Sequence, residues 1–322
     1  MKHHNIIQCK TILTAVLLIF TCLFSLIGCH AEPYQSDSEC ITVTDALGRE
    51  VIINKYPEKV AALLGSFADV WLLAGGNICA APSDAWEDFG LTLTDAVNLG
   101  GAHSPSLELL LSCAPDLVIA SASTASHVNA KDTLDAAGIA VIYFDVDNFD
   151  DYLYMLDICT DITERKDLYA QNGLNIREQI KAIKNAYATE NITEQQRTVL
   201  LLRASSSTIK AKGSQGTILG EMLRDMGCVN IADRNPTFSD HLSIEAVLRE
   251  QPYHIFVVTM GNDTEAARAS LNNMIKENPA WASLEAIAQN RLHVMDKTLF
   301  NLKPNARWAM AYQTLYETLT QK

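Results

Sequence analysis

Residues 106–119, with the sequence SLELLLSCAPDLVI, predict a complete helix–turn–strand unit. Ser106 can cap a short helix at 107–113, because its hydroxyl can accept a hydrogen bond from a backbone N–H of the first turn. Pro115 then ends the helix, since proline cannot continue the backbone hydrogen bonding. The apolar run that follows at 116–120 is short and bounded by turn residues, as expected for a buried strand.

A second stretch, LSIEAVLREQPYHIFV at residues 242–257, repeats this pattern. Ser243 takes the place of Ser106, and a proline again separates the helix from the strand. Each copy places one glutamate, Glu108 or Glu245, two residues after the serine. A carboxylate there is stabilised by the helix dipole by about 0.3–1 kcal/mol, which is the simplest role for both acids. The repeat predicts two lobes of the same design.

Strands and helices alternate along most of the chain, which predicts parallel sheets covered by helices on both faces. A hairpin is predicted at 41–53 and strands at 60–64, 78–81, 97–99, 116–120, 140–143, 198–202, 255–258 and 292–295. Helices are predicted at 66–74, 107–113, 126–137, 217–226, 243–250, 265–277, 281–288 and 306–319. The expected fold class is α/β, with two Rossmann-like lobes, each with a mainly parallel sheet, joined by a single long α-helix.

The joining segment is predicted at residues 149–190, between an N-terminal lobe at 41–148 and a C-terminal lobe at 191–322. It begins with a helix at 150–160 and continues as a longer helix from Glu164 to Tyr187, in which Gly173 is the only helix breaker. About 24 residues span about 36 Å at 1.5 Å per residue. Because this length is too great for a connection within one sheet, we expect a strut between the lobes.

The first 40 residues predict an export signal and a tether. An apolar run at 11–27 follows Lys2 and Lys10 and leads into Leu26-Ile27-Gly28-Cys29, as in a secretory signal cut before the cysteine. This motif resembles the lipobox of bacterial lipoproteins, in which the cysteine carries lipid. We therefore expect a signal peptide at 1–28, a lipid anchor on Cys29 and a tether at 29–40, with the protein outside the cytoplasm. The alternative is a membrane-spanning helix, although about 17 residues is the lower limit for one.

Composition argues against several classes of protein. The formal net charge is −13, and the first 28 residues contain two lysines and no acid, so the remainder is more acidic still. A nucleic-acid partner would require a basic face. The cysteines after Cys29 are odd in number and lack paired spacing, which argues against a disulfide framework and a zinc site. They are Cys40, Cys79, Cys113, Cys159 and Cys228.

The lipobox, the segment at 106–119, its repeat around Glu245 and the long helix together resemble the substrate-binding lipoproteins of bacterial iron-siderophore, haem and cobalamin ABC importers. The resemblance covers residues 41–321. It implies a monomeric binding protein, not an enzyme, that holds its ligand between two lobes. It also implies that Glu108 and Glu245 dock onto arginines of the permease dimer. The implied ligand is a ferric siderophore, or alternatively haem or cobalamin, with no covalent group other than the lipid.

Ligands of open α/β sheets bind beyond the carboxyl ends of the strands, so candidate ligand contacts lie in those loops. They are Ser66, Trp86, His103, Ser121, Arg203, Lys212, His241 and Arg307. Arg203 is the strongest candidate, because a cation directly after a buried strand is costly unless it faces a cleft or an acid. With Lys212 and Arg307 it could neutralise an anionic chelate or haem propionates. Trp86 could either stack on a flat ligand or cap the core.

Two other classes remain open on sequence alone. A protein for bare zinc or manganese needs about three histidines and a carboxylate close together, whereas the histidines here are scattered. A lipid-anchored enzyme could use the same fold. The chain nevertheless lacks a Gly-x-Ser-x-Gly motif, a Walker loop and a Gly-x-Gly-x-x-Gly motif after a strand. The sequence does not distinguish a siderophore ligand from a tetrapyrrole ligand, because a site for either would require aromatic walls and a few cations.

Overall fold

The computed structural model describes residues 39–234, 238, 242–261 and 263–321. The predicted signal peptide, the lipidation site Cys29 and the candidate ligand contact His241 lie outside the described residues. Within them the chain forms two five-stranded sheets and a separate two-stranded hairpin, which confirms the predicted two-lobed α/β fold. None of the helices in this part of the chain has the length and apolar character of a membrane span.

The N-terminal lobe contains a hairpin and a five-stranded parallel sheet. Its strands are β1 (Cys40–Thr44), β2 (Glu50–Asn54), β3 (Val60–Ala62), β4 (Ala80–Ala81), β5 (Val97–Asn98), β6 (Leu117–Ser121) and β7 (Ala140–Phe144). Its helices are α1 (Gly65–Leu73), α2 (Asp84–Glu87), α3 (Leu107–Ser112), α4 (Ala125–Asn129) and α5 (Lys131–Ala136). β1 and β2 pair antiparallel, and the parallel sheet has the order β5–β4–β3–β6–β7. The prediction of one helix at 126–137 is wrong, because that segment forms the two helices α4 and α5.

The start of α1 differs from the prediction in a way that matters for the site. The helix begins at Gly65, with Leu64 as its N-cap, so Ser66 lies in the first turn and does not cap the helix. The carboxylate of Asp84 instead accepts the Gly65 N–H at 3.0 Å. A Cβ on residue 65 would lie 2.5 Å from the backbone nitrogen of Ala85. Glycine therefore lets the loops after β3 and β4 touch at one edge of the sheet.

The strut follows β7, and it differs from one continuous helix at two points, near Glu164 and near Gly173. Its parts are α6 (Phe149–Ile162), α7 (Lys166–Tyr169), a π-helical turn (Ala170–Leu174) and α8 (Asn175–Ala188). The second helical stretch begins at Lys166, two residues later than predicted, because Glu164 has a φ of +53° and cannot be part of a right-handed helix. Gly173 is buried, and a Cβ there would lie 2.9 Å from a methyl group of Leu153. The glycine thus allows the π-helical turn to pack closely on α6.

The C-terminal lobe repeats the plan and adds one antiparallel strand. Its strands are β8 (Thr198–Ala204), β9 (Ile209–Lys212), β10 (Val229–Asn230), β11 (His254–Thr259) and β12 (Leu292–Met295). Its helices are α9 (Ile218–Asp225), α10 (Ile231–Arg234), α11 (Ile244–Glu250), α12 (Thr264–Glu277), α13 (Glu285–Ala288), α14 (Lys297–Phe300) and α15 (Trp308–Thr320). The order β10–β8–β11–β12 is parallel, and β9 pairs antiparallel with β8. β9 was not predicted from the sequence.

The repeat in the sequence is a repeat in the structure. Ser106 and Ser243 each accept a hydrogen bond at 3.3 Å from the backbone N–H three residues later, as predicted for helix caps. The helices α3 and α11 both end at a non-glycine residue in the left-handed region, Ala114 with φ +45° and Gln251 with φ +44°. A proline follows each of them. The two lobes therefore use the same unusual turn to enter β6 and β11.

The C-terminal segment returns from the second lobe to the first. Trp308 is fully buried, and its ring centroid lies 5.8 Å from that of Phe149 at the start of the strut. The amide of Asn305 donates to the carbonyl oxygen of Ser66 and to the carboxylate of Asp69, at 2.8 Å each. The lobes are therefore joined by two connections, the strut and this returning segment, which limits how far they can move apart.

A histidine pair, of which His254 is buried and His293 half-buried, lies at the amino ends of β11 and β12. Nδ1 of His254 is 3.0 Å from Nε2 of His293, and Nε2 of His254 is buried without a hydrogen-bond partner. The Arg291 guanidinium lies nearby, 3.7 Å above the Tyr253 ring. Burial, followed by the charges of His293 and Arg291, lowers the pKa of His254 to about 3. His254 is therefore neutral in the folded protein at neutral pH.

This pair predicts a loss of stability in mild acid. Because the folded-state pKa of His254 lies below the unfolded value of about 6.5, the unfolded chain binds more protons as the pH falls below about 6.5. We expect the free energy of unfolding to drop by about 2 kcal/mol between pH 7 and pH 5 from His254 alone. Urea unfolding at both pH values should show a smaller drop for His254→Gln and an unchanged drop for the exposed His103→Gln. Equal drops in all three proteins would contradict the prediction.

Candidate functional site

The site lies where the parallel strands of the two sheets end. In each sheet the carboxyl ends of the parallel strands share one edge, and several predicted contact residues lie on the loops or strand ends there. Six of the seven described ones fall into three groups: Arg203 with Lys212 of the antiparallel β9, Ser121 with His103, and Ser66 with Arg307. The seventh, Trp86, lies in α2. No hydrogen bond or ion pair between described residues joins the first group to the other two.

Arg203 is one residue from the end of β8 and lacks an acidic partner. It lies in register with Val258 of β11 on one side and Lys210 of β9 on the other. Its Nε atom is buried and has no hydrogen-bond partner. Burial lowers the pKa of Arg203, and no carboxylate in the described part of the chain forms an ion pair with it. The guanidinium thus holds an unused buried donor at the edge of the sheet.

Two lysines share the face of the ribbon that carries Arg203. Lys210 lies opposite Arg203, and Lys212 lies opposite Leu201. Since side chains of alternate residues point to the same face of a strand, Arg203, Lys210 and Lys212 form one basic cluster. Burial, and then the charges of Arg203 and Lys210, lower the pKa of Lys212. The sequence-based placement of Lys212 in a loop is wrong, because Lys212 belongs to β9.

Ser121 and His103 are connected by a histidine that the sequence interpretation did not select. Ser121 is buried at the end of β6, and its N–H donates to Nδ1 of His127 at 3.2 Å. Nε2 of His127 therefore carries the proton and donates to the carbonyl oxygen of Ala102 at 2.8 Å. Burial is the main cause of the lowered pKa of His127, which keeps the ring neutral. The exposed His103 is thereby held at the carboxyl edge of the sheet.

The same edge carries a half-buried acid and a tryptophan. Burial raises the pKa of Asp84, and one of its carboxylate oxygens is buried without a partner. The nearby His103 partly opposes this shift. Trp86 is half-buried and packs against the main hydrophobic core. This packing favours the core-capping alternative for Trp86 over ligand stacking.

Ser66 and Arg307 both lie near Asp69, where the C-terminal segment packs on the N-terminal lobe. Ser66 is buried, and Asn305 connects its carbonyl oxygen to Asp69. Arg307 donates to Thr298 Oγ1 at 3.3 Å. Burial raises the pKa of Asp69, while its bond to Asn305 and the charge of Arg307 oppose the shift. Arg307 therefore already has a neighbouring acid, in contrast to Arg203.

The predicted docking acids lie on the same side of the lobes as these groups. α3 and α11 each turn back sharply into the following strand, so their first turns lie towards the carboxyl ends of β6 and β11. Glu108 and Glu245 are both exposed there. Glu245 accepts a hydrogen bond from the hydroxyl of Ser243 at 2.9 Å. Each lobe therefore exposes one acid in the first turn of its serine-capped helix.

Two open grooves lie on the surface, and Lys210 of the basic cluster lines the second of them. The first, of about 740 Å³, lies between the first turn of α6, α8, α9 and Tyr312. The other, of about 860 Å³, is lined by residues 206–210, α12 and the start of α11. Neither contains any of the eight predicted ligand contacts. Among the described residues, no three His, Cys, Asp or Glu side chains are grouped to hold a metal ion.

Comparison with known proteins gives consistent results. The family profile described as "Periplasmic binding protein" matches residues 60–299. The chain is 21% identical over 319 residues to the putative ABC transporter substrate-binding lipoprotein YhfQ of Bacillus subtilis, covering 94% of this chain and 95% of YhfQ. The petrobactin-binding protein YclQ of Bacillus subtilis has a TM-score of 0.70, 18% identity and coverage of 88% and 100%. IsdE of Staphylococcus aureus, solved with heme, has a TM-score of 0.67, 15% identity and coverage of 82% and 99%.

Proposed function

Because this chain belongs to the family of periplasmic binding proteins that serve ABC importers, we propose that it captures an anionic iron chelate, of the ferric siderophore type, and delivers it to its permease. Proteins of this family bind a small ligand and work with a membrane permease. The family does not specify the ligand class or the ligand contacts, so the proposal for both rests on the residues of this chain.

The observation that carries the proposal is the basic cluster. A buried donor without a partner costs about 1–3 kcal/mol. Like charges that face each other across a β ribbon are also destabilising. Arg203 has the first disadvantage, because its buried Nε has no partner. It shares the second with Lys210, which lies opposite it, and with the nearby Lys212, and no described acid forms an ion pair with any of the three. An anionic ligand removes both costs at once, because its oxygens accept from Arg203 and its charge offsets the repulsion.

Ferric complexes of catecholates and carboxylates fit this description, because they are compact and carry excess negative charge. The fold supports the same ligand class, since YclQ is a petrobactin-binding protein. Haem is the second candidate, because its two propionates offer carboxylates to the same cations and IsdE was solved with heme. Cobalamin fits the basic cluster less well, since it lacks a comparable pair of carboxylates.

A binding titration tests the proposal. Tryptophan fluorescence of the purified chain from residue 30 onwards is measured with a ferric catecholate, a ferric hydroxycarboxylate, haem, cobalamin and zinc chloride. We expect at least one ferric chelate to bind with a Kd below about 10 μM, which corresponds to about −7 kcal/mol. Tight binding of haem alone would favour the second candidate. Binding of zinc with no response to any chelate or tetrapyrrole would refute both.

We also expect Cys29 to anchor the protein to the outer face of the cell membrane. Each buried CH₂ of an acyl chain contributes about 0.8 kcal/mol, so several chains retain the protein firmly. In cells, Cys29→Ala should move the protein from the membrane fraction to the soluble fraction. The matched control is Cys40→Ala, in the first strand of the hairpin, which should remain with the membrane. A Cys29→Ala variant that still sediments with membranes would rule out this anchor.

A further inference from the structure

An ion pair joins the N-terminal lobe directly to the C-terminal lobe. The Nζ atom of Lys297 donates to the carboxylate of Asp88 at 2.7 Å, although the two residues are 209 positions apart in the chain. The side chains of Lys297 and Asp88 are only 15% and 23% exposed. Because water and salt screen exposed ion pairs, partial burial makes this pair a stronger connection than a pair on the open surface.

Both partners lie at the carboxyl edge of their own sheet. Asp88 directly follows α2, in the loop region after β4, and lies near Asp84. The pKa of Asp84 is raised first by burial and then, in part, by the charge of Asp88. Lys297 comes two residues after the end of β12. The pair therefore connects the edges at which open α/β sheets bind their ligands.

The ion pair and the basic cluster lie on different flanks of the C-terminal sheet. In the order β10–β8–β11–β12, β12 is the last strand, and Arg203 lies two strands away on β8. Since neighbouring strands are about 5 Å apart, the ends of β12 and β8 are about 10 Å apart. β9, with Lys210 and Lys212, pairs with β8 on the side away from β11. No hydrogen bond or ion pair between described residues joins β9 to the N-terminal lobe. The β12 flank is thus bridged to the other lobe, whereas the β9 flank is not.

We propose that the Asp88–Lys297 ion pair closes the β12 flank of the cleft, so that the ligand enters and leaves on the β9 flank, past Arg203, Lys210 and Lys212. This inference rests on the proposed function, in which the basic cluster holds an anionic chelate between the lobes. Cations along the open flank attract an anion and raise its local concentration, which favours entry there. Breaking the pair opens a second way in and out without removing a ligand contact. Association and dissociation then both become faster, and the affinity stays the same.

Stopped-flow fluorescence with a ferric tris-catecholate measures both rate constants. Asp88→Asn and Lys297→Met each break the pair, and we expect association and dissociation to become about 3- to 5-fold faster, with a Kd within about 2-fold of that of the unmodified protein. Asp88→Lys combined with Lys297→Asp restores an ion pair of opposite polarity and should return both rate constants to their original values. Unchanged rate constants in both single variants would overturn the inference. A weaker Kd without faster association would also overturn it, because the two residues would then be ligand contacts.

Quenching of tryptophan fluorescence by acrylamide tests the closure without any ligand. Trp86 lies two residues before Asp88 and is half-buried. The other tryptophans are at most 3% exposed, and they are Trp71, Trp281 and Trp308. Quenching therefore reports mainly on Trp86, and breaking the pair should raise the quenching constant about 2-fold, because the loop that carries Trp86 is no longer held to the other lobe.

The control for both measurements is Glu285→Gln. It breaks the ion pair between Glu285 and Arg291, which lies before the amino end of β12, and should change neither quenching nor the rate constants. Unchanged quenching in Asp88→Asn and Lys297→Met overturns the inference whether or not a chelate binds. Raised quenching in a protein that binds no chelate upholds the closure and counts against the proposed function alone.

Discussion

Arg203→Ala is expected to weaken binding of the anionic ligand by about 10- to 100-fold, because each hydrogen bond to a charged group is worth about 1.5–3 kcal/mol. The same variant should not be less stable in the absence of ligand. Removing Arg203 leaves no described acid unpaired, and it removes both a buried donor without an acceptor and a repulsion with Lys210 and Lys212. Loss of affinity without loss of stability is the result that distinguishes a ligand contact from a structural residue.

The measurements are ligand titration and urea unfolding of the same protein samples. The control is Arg268→Ala, which removes an equal charge from an exposed position on α12 and should change neither quantity. Arg203→Lys should recover part of the affinity, because lysine retains the charge but not the planar fork of donors. If Arg203→Ala binds the chelate as well as the unmodified protein does, the basic cluster is not the ligand site.

Glu108→Arg combined with Glu245→Arg is expected to abolish uptake and leave ligand affinity unchanged. The acids are exposed on opposite lobes, and the resemblance to known importers implies that they meet arginines of the permease. Reversing both charges places like charges together at the interface, which costs several kcal/mol. The effect on folding should be small, since each acid contributes only about 0.3–1 kcal/mol through the helix dipole.

The control for this variant is Glu50→Arg combined with Glu178→Arg, which makes the same change in net charge at exposed positions on β2 and the strut. Uptake of the radiolabelled ferric chelate and its affinity for the purified protein are measured for both double variants. The control should transport normally. A fall in affinity in the Glu108/Glu245 variant would instead place those acids inside the cleft.

The architecture was predictable because its signals are local. Buried parallel strands appear as short apolar runs, and serine caps and proline turns mark the helices that precede them, as Ser106 and Ser243 show. The boundaries were less accurate where a remote residue decides them. α1 begins at Gly65 because Asp84, 19 residues away, accepts the Gly65 N–H. β9 escaped prediction because its apolar and basic residues alternate over only four positions.

The candidate site was only partly accessible from the sequence. Arg203 could be selected as a candidate because the cost of a cation after a buried strand is a local property. His127 and Asn305 were not selected, because their importance lies in contacts with Ala102, 25 residues away, and with Ser66, 239 residues away. No pattern of neighbouring residues indicates such contacts.

The sequence was sufficient to predict two similar α/β lobes, a long helical connection and an acid at the same position of each lobe, because periodicity, caps and turns act over a few residues. The tertiary structure was needed to show that Lys210 and Lys212 share a face with Arg203, and that His127 connects Ser121 to Ala102. Strand pairing and burial depend on segments that are distant in the chain, so these features arise only when the lobes are folded.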